Sequence, residues 1–454
     1  MASIVTIETA SLGDRSYLVH DGSVAFVVDP QRDIDRVQAA AADAGVSIVA
    51  ILETHIHNDY LTGGYALARE TGAAYYVNGA DEVSFERTPV ADGDVVSVGS
   101  MRVRAIATPG HTFTHLSFAL EGETPAVFTG GSLLFGSTGR PDLLGEEHTE
   151  TLARHQHASA HRLADEVPDE AQVMPTHGFG SFCSATQASG DASTIGREKR
   201  DNPALTQDEA SYVEEILAGL GEFPAYYAHM GPANAAGPLA ADLSAPTRAD
   251  VAQLRRRLEA GEWLVDLRTR TMFAAGHAPG TFNFGLEGEF ATYVGWLIPW
   301  GRPLTLLGES WEQVAQAQRE LVRIGIDRPA AATTGGPRDW TDDEPASFPQ
   351  ATFPDLAQVR HHRDVVVLDV RRPAEFAARH IEGAVNLPLH NILTRSDDVP
   401  AGEVWVHCAS GYRAAIAASI LATAGRRVVV IDDSFDDAGQ AGLALTDQGR
   451  PAAL

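Results

Sequence analysis

The stretch Thr54-His55-Ile56-His57-Asn58-Asp59-Tyr60 decides how the first half of the chain is read. Through Glu53 it follows the apolar run 48–52, which has the composition of a buried strand, so its polar side chains gather at a strand tip. A lone histidine is more often a satisfied core or surface residue than a ligand. His-x-His past a strand reverses that expectation when other tips carry histidine too. Two do: Thr108-Pro109-Gly110-His111-Thr112 follows the run 103–107, and Pro175-Thr176-His177-Gly178 comes later. Imidazole is the commonest protein metal ligand, and strand tips can converge several rings on one ion. His55, His57 and His111 are the candidate ligands. Asp59 and His177 are candidates for the shell behind them, where a second group orients a ligand. The run 25–28 and the helically spaced stretches 33–44 and 150–164 complete an α/β domain over residues 1–235, with its chemistry at strand ends.

Beyond the Pro/Ala/Gly-rich linker 231–245 the chain repeats itself. Asp266, Arg268, Phe273, His277, Gly280 and Asn283 recur as Asp369, Arg371, Phe376, His380, Gly383 and Asn386, at a constant offset of 103 residues. Two copies of one α/β module are expected, at 246–335 and 351–454, around the soft stretch 335–349. In the second copy, Val404-Trp405-Val406-His407-Cys408 runs into Ala409-Ser410-Gly411-Tyr412-Arg413 and a helix-like segment. A strand feeding a Gly-containing loop that opens a helix aims backbone N–H groups at one point. A cysteine there is expected to ionise readily and act as a nucleophile. Arg413 offers a donor fork for an anionic group. The matching strand end of the first copy, Leu304-Thr305-Leu306-Leu307-Gly308-Glu309-Ser310, holds no cysteine, so that copy is expected to be silent.

Composition narrows the field. The 454 residues carry a formal charge of −27, which repels phosphate backbones and anionic membranes and argues against nucleic acid or a membrane as partner. Lys199 is the only lysine, and two cysteines, Cys183 and Cys408, are too few for a disulfide framework. No basic n-region precedes an apolar run at the N-terminus, and the most apolar helical stretch, 414–425, is too short to span a bilayer. A cytoplasmic setting is expected, and a homo-oligomer is compatible with it.

The repeat and the cysteine loop resemble a pair of rhodanese domains. The resemblance implies sulfurtransferase activity, with Cys408 carrying a persulfide in the cradle Ala409, Ser410, Gly411 and Tyr412, and Arg413 beside it. Tyrosine phosphatases place five residues between Cys and Arg; here there are four. The histidine motifs over 1–235 resemble the metallo-β-lactamase fold, an αββα sandwich with one or two metals at an edge. Dinuclear members such as glyoxalase II, a thioester hydrolase, continue His-x-His-x-Asp-His; this chain has Tyr60 at the last position, and Gly131 where a bridging Asp would stand. Gly139-Arg140-Pro141-Asp142 looks like a segment of persulfide dioxygenases, which are recurrently fused to rhodanese modules. That resemblance implies one Fe(II) held by two His and one Asp, and oxidation of a persulfide such as glutathione persulfide to sulfite. The corresponding positions here are His55, His111 and Gly131, so the carboxylate ligand is missing. Three outcomes follow: His57 completes a three-His site, Asp59 or Asp142 supplies an oxygen, or the domain is a metal-free persulfide-binding or regulatory module. Zinc is the alternative metal. Gly131→Asp discriminates between these outcomes: a gain of iron and oxygen uptake would mean that the natural domain had lost that chemistry. Arg140 is a candidate for a substrate carboxylate, Cys183 for a sulfur relay. The expected small molecules are a thiol persulfide and sulfite or thiosulfate.

Overall fold

A computed structural model describes residues 2–185 and 190–446. The chain divides into two compact units, Met1–Asp242 with Leu321–Asp327, and Leu243–Glu320 with Arg328–Leu454.

The first unit is an αββα sandwich. One six-stranded sheet takes its strands in chain order from Ser3–Thr9 to Thr88–Val90, and the other runs from Val95–Val98 to Ser193–Thr194. Apolar side chains of both inner faces interlock. Phe26 of one sheet meets Phe128 of the other edge-on, with ring centroids 5.8 Å apart, amid Val19, Leu52, Val103 and Phe118. Each outer face is covered by helices through their apolar stripes, Val37, Ala41 and Leu67 on one side and Ala153, Ala160 and Leu163 on the other. Strands buried on both faces need apolar residues throughout, as in Val24–Val28 (Val-Ala-Phe-Val-Val). Polar residues are thereby forced to the ends.

The second unit holds two parallel sheets built alike. In the first copy Trp263–Asp266 lies between Phe282–Asn283 and Leu304–Gly308, with Ala331–Thr334 beyond. In the second, Val366–Asp369 lies between Val385–Asn386 and Glu403–His407, followed by Arg427–Ile431 and Gln350–Ala351. Register matches as well as order: Asp266 pairs with Asn283 and Leu307, Asp369 with Asn386 and His407. Both sheets fall within this unit, although Leu321–Asp327 of the first copy is assigned to the other. Among the described residues no helix is long and apolar enough to cross a membrane.

Candidate metal centre and cysteine loop

Asp29 ends the strand Val24–Val28 at φ 49°, and its buried carboxylate gathers the tips of three strands. It accepts the Thr54 N–H and hydroxyl, both at 2.7 Å, and the Thr176 hydroxyl at 2.5 Å. With the Thr54 hydroxyl proton committed to Asp29, His55 Nδ1–H donates to Thr54 Oγ1 at 2.9 Å, and the Nε2 lone pair faces inward. His111 Nδ1–H donates to the Arg140 carbonyl at 2.8 Å, which leaves Nε2 buried without a partner. The Nε2 edge of His57 faces Tyr60 Oη (3.0 Å), Glu53 Oε2 (3.3 Å) and Asp29 Oδ1 (3.4 Å), and its Nδ1 is buried and unpartnered. The rings lie close: the His55 centroid is 4.1 Å from His57, 4.9 Å from His111 and 5.3 Å from His177. Three imidazoles thus each engage one nitrogen with the protein, as metal-ligating histidines do. His57 Nδ1 and His111 Nε2 are left without a partner while His55 Nε2 faces His177, and among the described residues no donor cluster tight enough for one ion joins His55, His57 and His111, the expected ligand set. Those orphaned nitrogens fit a cation.

His177 is more central than its sequence context indicates. Its Nδ1 lies 3.0 Å from both Asp14 Oδ1 and Asp59 Oδ2, and its Nε2 3.4 Å from His55 Nε2. Donor atoms of His55, His57 and His177 cluster closely enough for one ion, as do those of His111, His177 and Cys183. Burial alone would push His177 down, but Asp59 and Asp14 outweigh it and bring the ring up to about 10. For His57, Asp29 and Glu53 likewise outweigh burial and raise it to about 9. His111 has no such partner, and burial with the neighbouring His177 takes it down to about 3. Burial raises the Asp59 carboxyl, but His177 prevails and holds it below its ordinary value; burial and Asp59 lift Asp14 to about 7. Asp59 Oδ1 is buried with no hydrogen-bond partner among the described residues. Asp14, Asp29, Glu53 and His115 all belong to this buried cluster and went unnoticed in the sequence. Asp29 and Glu53 sit at strand tips, a signal that could have found them; Asp14 and His115 offer none.

Gly131 has a steric reason. A Cβ there would lie 2.3 Å from His111 Cδ2, and one on Gly139 would lie 2.7 Å from His111 Nδ1, so the ring is wedged between two glycines. The space an aspartate would enter is filled by imidazole. An aspartate at 131 must therefore first dislodge His111. Asp142 is unavailable too, because it clamps Arg140 through two contacts at 2.6 and 2.7 Å. Arg140 also donates to the Phe182 and Gly221 carbonyls, so its fork is spent on the fold rather than offered to a substrate carboxylate. Cys183 is fully buried beside Asp59, and burial pushes its thiol up, which keeps it protonated and unsuited to relaying sulfur.

In the second unit, Cys408 follows the strand Glu403–His407, and Gly411 caps the helix Tyr412–Thr423. Gly411 takes φ 95°, and a Cβ there would strike Asp432 Oδ1 at 2.2 Å, so only glycine lets the loop turn this tightly. The turn aims the Gly411 N–H at Cys408 Sγ, 3.1 Å away. Cys408 is buried, 1% exposed, and the next two residues, Ala409 and Ser410, are exposed. Tyr412 turns aside to donate to the Gly285 carbonyl at 2.8 Å. Arg413 is not the free fork expected: Glu375 grips it at 2.7 and 2.9 Å. Glu375 had no signal in the sequence.

Comparison with known proteins agrees with this architecture. The Metallo-beta-lactamase superfamily model matches residues 15–177, and the Rhodanese-like domain model matches 352–441. The chain belongs to the metallo-beta-lactamase superfamily, with a rhodanese-like domain toward its other end. It is 30% identical over 210 residues to hydroxyacylglutathione hydrolase of Pseudomonas entomophila (strain L48), covering 41% of this chain and 78% of that protein. With the enzyme of that name from Gloeobacter violaceus it shares 34% identity over 158 residues, 34% of this chain and 59% of the relative. A crystal structure of a metallo-beta-lactamase from Staphylococcus aureus subsp. aureus COL superposes with a TM-score of 0.65 at 26% identity, over 74% of this chain and 98% of that one.

Proposed function

We propose that this protein is a sulfur-handling enzyme, in which the first unit oxidises a low-molecular-weight persulfide and Cys408 of the second transfers sulfane sulfur. The observation that carries the reading is the Gly411 N–H pointing at Cys408 Sγ at the start of a helix, a cradle for an anionic sulfur. Cys408 thiolate attacks the outer sulfur of thiosulfate, the S–S bond breaks, sulfite leaves with the electron pair, and Cys–S–S⁻ remains. Loop amides and the helix end stabilise the charge. In the first unit His55, His57 and His111, with His177 as the ring common to both donor clusters, would hold an Fe(II), and Asp59 stands behind His177. Iron bound there supplies the redox chemistry by which persulfide, O₂ and water become thiol, sulfite and two protons. The chain's own contribution is to fix the three rings through Thr54, Glu53 with Asp29, and the Arg140 carbonyl. Asp14 is placed to pass protons to and from His177.

Elemental analysis is expected to find about one iron per chain, lost in His55→Ala and His111→Ala, with oxygen uptake on persulfides falling in parallel. Iron-loaded protein without oxygen uptake overturns the dioxygenase half. Gly131→Asp is expected to lower iron content, because the new side chain displaces His111; a gain of iron and oxygen uptake would show that the native domain is a metal-free binding module that lost the chemistry. A second reading, thioester hydrolysis, is favoured by the names of the relatives. Thioester cleavage without oxygen consumption would select it.

A further inference from the structure

A cleft of about 770 Å³ opens beside the loops that carry the histidines. Ile56 and Asn58 of the His55–Asp59 loop line it, as do Thr112 and Phe113 next to His111. Leu143, Leu144, Phe223 and Tyr227 add apolar wall, and Phe113 is 43% exposed. Asn58 and Thr112 line the cleft, and Asn58 Nδ2 and Thr112 Oγ1 are buried with no hydrogen-bond partner among the described residues. Its charged lining is Asp81 and Glu82 alone; among the described residues no arginine or lysine lines it. Two arginines beside the lining are spent. Arg87 donates to the Gly79 and Asp81 carbonyls, and Arg140, stacked 4.7 Å from the Phe223 ring centroid, is clamped by Asp142. The chain's net charge of −27 adds a repulsive field over the entrance.

A carboxylate needs an arginine fork, a lysine or backbone donors to leave water. This cleft meets it with two acids. We infer that the thiol which brings the persulfide to the first unit carries no net negative charge, and that it meets Asp81 and Glu82 through hydroxyl or ammonium donors. The inference rests on the reading of the first unit as a persulfide site, and it sets this chain apart from its relatives named for a glutathione substrate.

Binding to the full chain tests it without any turnover. S-methylglutathione and its diethyl ester share one scaffold, and esterification removes both carboxylate charges. Calorimetry is expected to give at least tenfold tighter binding for the ester, about 1.4 kcal/mol. Added salt narrows the gap, and Glu82→Lys cuts it to about threefold by strengthening the acid. Comparing S-methylcysteamine with 3-methylthio-1,2-propanediol then separates an ammonium carrier from a hydroxyl carrier. Equal affinity for acid and ester overturns the inference, as does failure of both to bind at millimolar concentration. Oxygen uptake on persulfides with no charge preference defeats the inference and spares the proposed function. A charge preference without oxygen uptake does the reverse.

Discussion

The two copies of the repeated module share one skeleton and differ where the chemistry sits. In the first, Arg268 grips Asp266 through Nε at 3.0 Å and Nη2 at 2.6 Å; in the second, Arg371 grips Asp369 at the same two distances. His277 donates to the Phe273 carbonyl at 2.9 Å and stacks 4.0 Å from that ring, while His380 does so to Phe376 at 2.9 and 3.9 Å. Asn283 and Asn386 each donate to the carbonyls of the Asp and Arg of their own copy. The repeated motif is therefore architecture: it ties a strand end to the following helix. Divergence begins at the C-terminal end of the strand. Leu307 and His407 occupy equivalent register positions, so Gly308 stands where Cys408 does. In the first copy the Glu309 N–H donates to the Gln313 side chain at 2.7 Å; in the second the Gly411 N–H points at sulfur.

The largest effect expected from breaking this contrast is at the thiol. Cys408→Ser is expected to take sulfur transfer from thiosulfate to cyanide down to background, while Gly308→Cys adds none, because its loop donor is already engaged by Gln313. Transfer by the Gly308→Cys, Cys408→Ser double variant would show that position, not loop, makes the site. Next come the clamps. Asp266→Ala and Asp369→Ala each strand a buried guanidinium, and each is expected to cost about 3–5 kcal/mol in denaturant unfolding. Costs that differ by more than about 2 kcal/mol would mean that the skeletons are not energetically equivalent. The smallest effect concerns Glu375, which has no counterpart in the first copy's motif. Burial raises this carboxyl, but Arg413 outweighs it and holds it at about 2, against an ordinary 4.5. A depressed carboxyl stabilises fully above its unfolded value and loses that contribution as pH falls from 4.5 toward 2. Glu375→Gln is expected to flatten the acid stability loss in that window. At neutral pH it frees Arg413 and lowers the KM for thiosulfate severalfold.

The sandwich and the parallel sheets were legible because doubly buried strands must be apolar throughout, so polar residues such as His55, His111 and His177 mark their ends. The repeat announced itself through spacing. The site was only half legible. His-x-His names candidate ligands, yet which nitrogen is free depends on Thr54, Glu53 and the Arg140 carbonyl, contacts made across strands. Arg140 and Arg413 read as substrate forks because a sequence shows a cation but not its carboxylate. Asp142 lies two residues from Arg140, and Glu375 lies 38 residues from Arg413.

The ring wedged between Gly131 and Gly139 bears on what this site tolerates. A side chain added at either position alone collides with His111, so accommodating one demands a coordinated shift of the imidazole. The two glycines thus lock the orientation of that ring as firmly as any hydrogen bond.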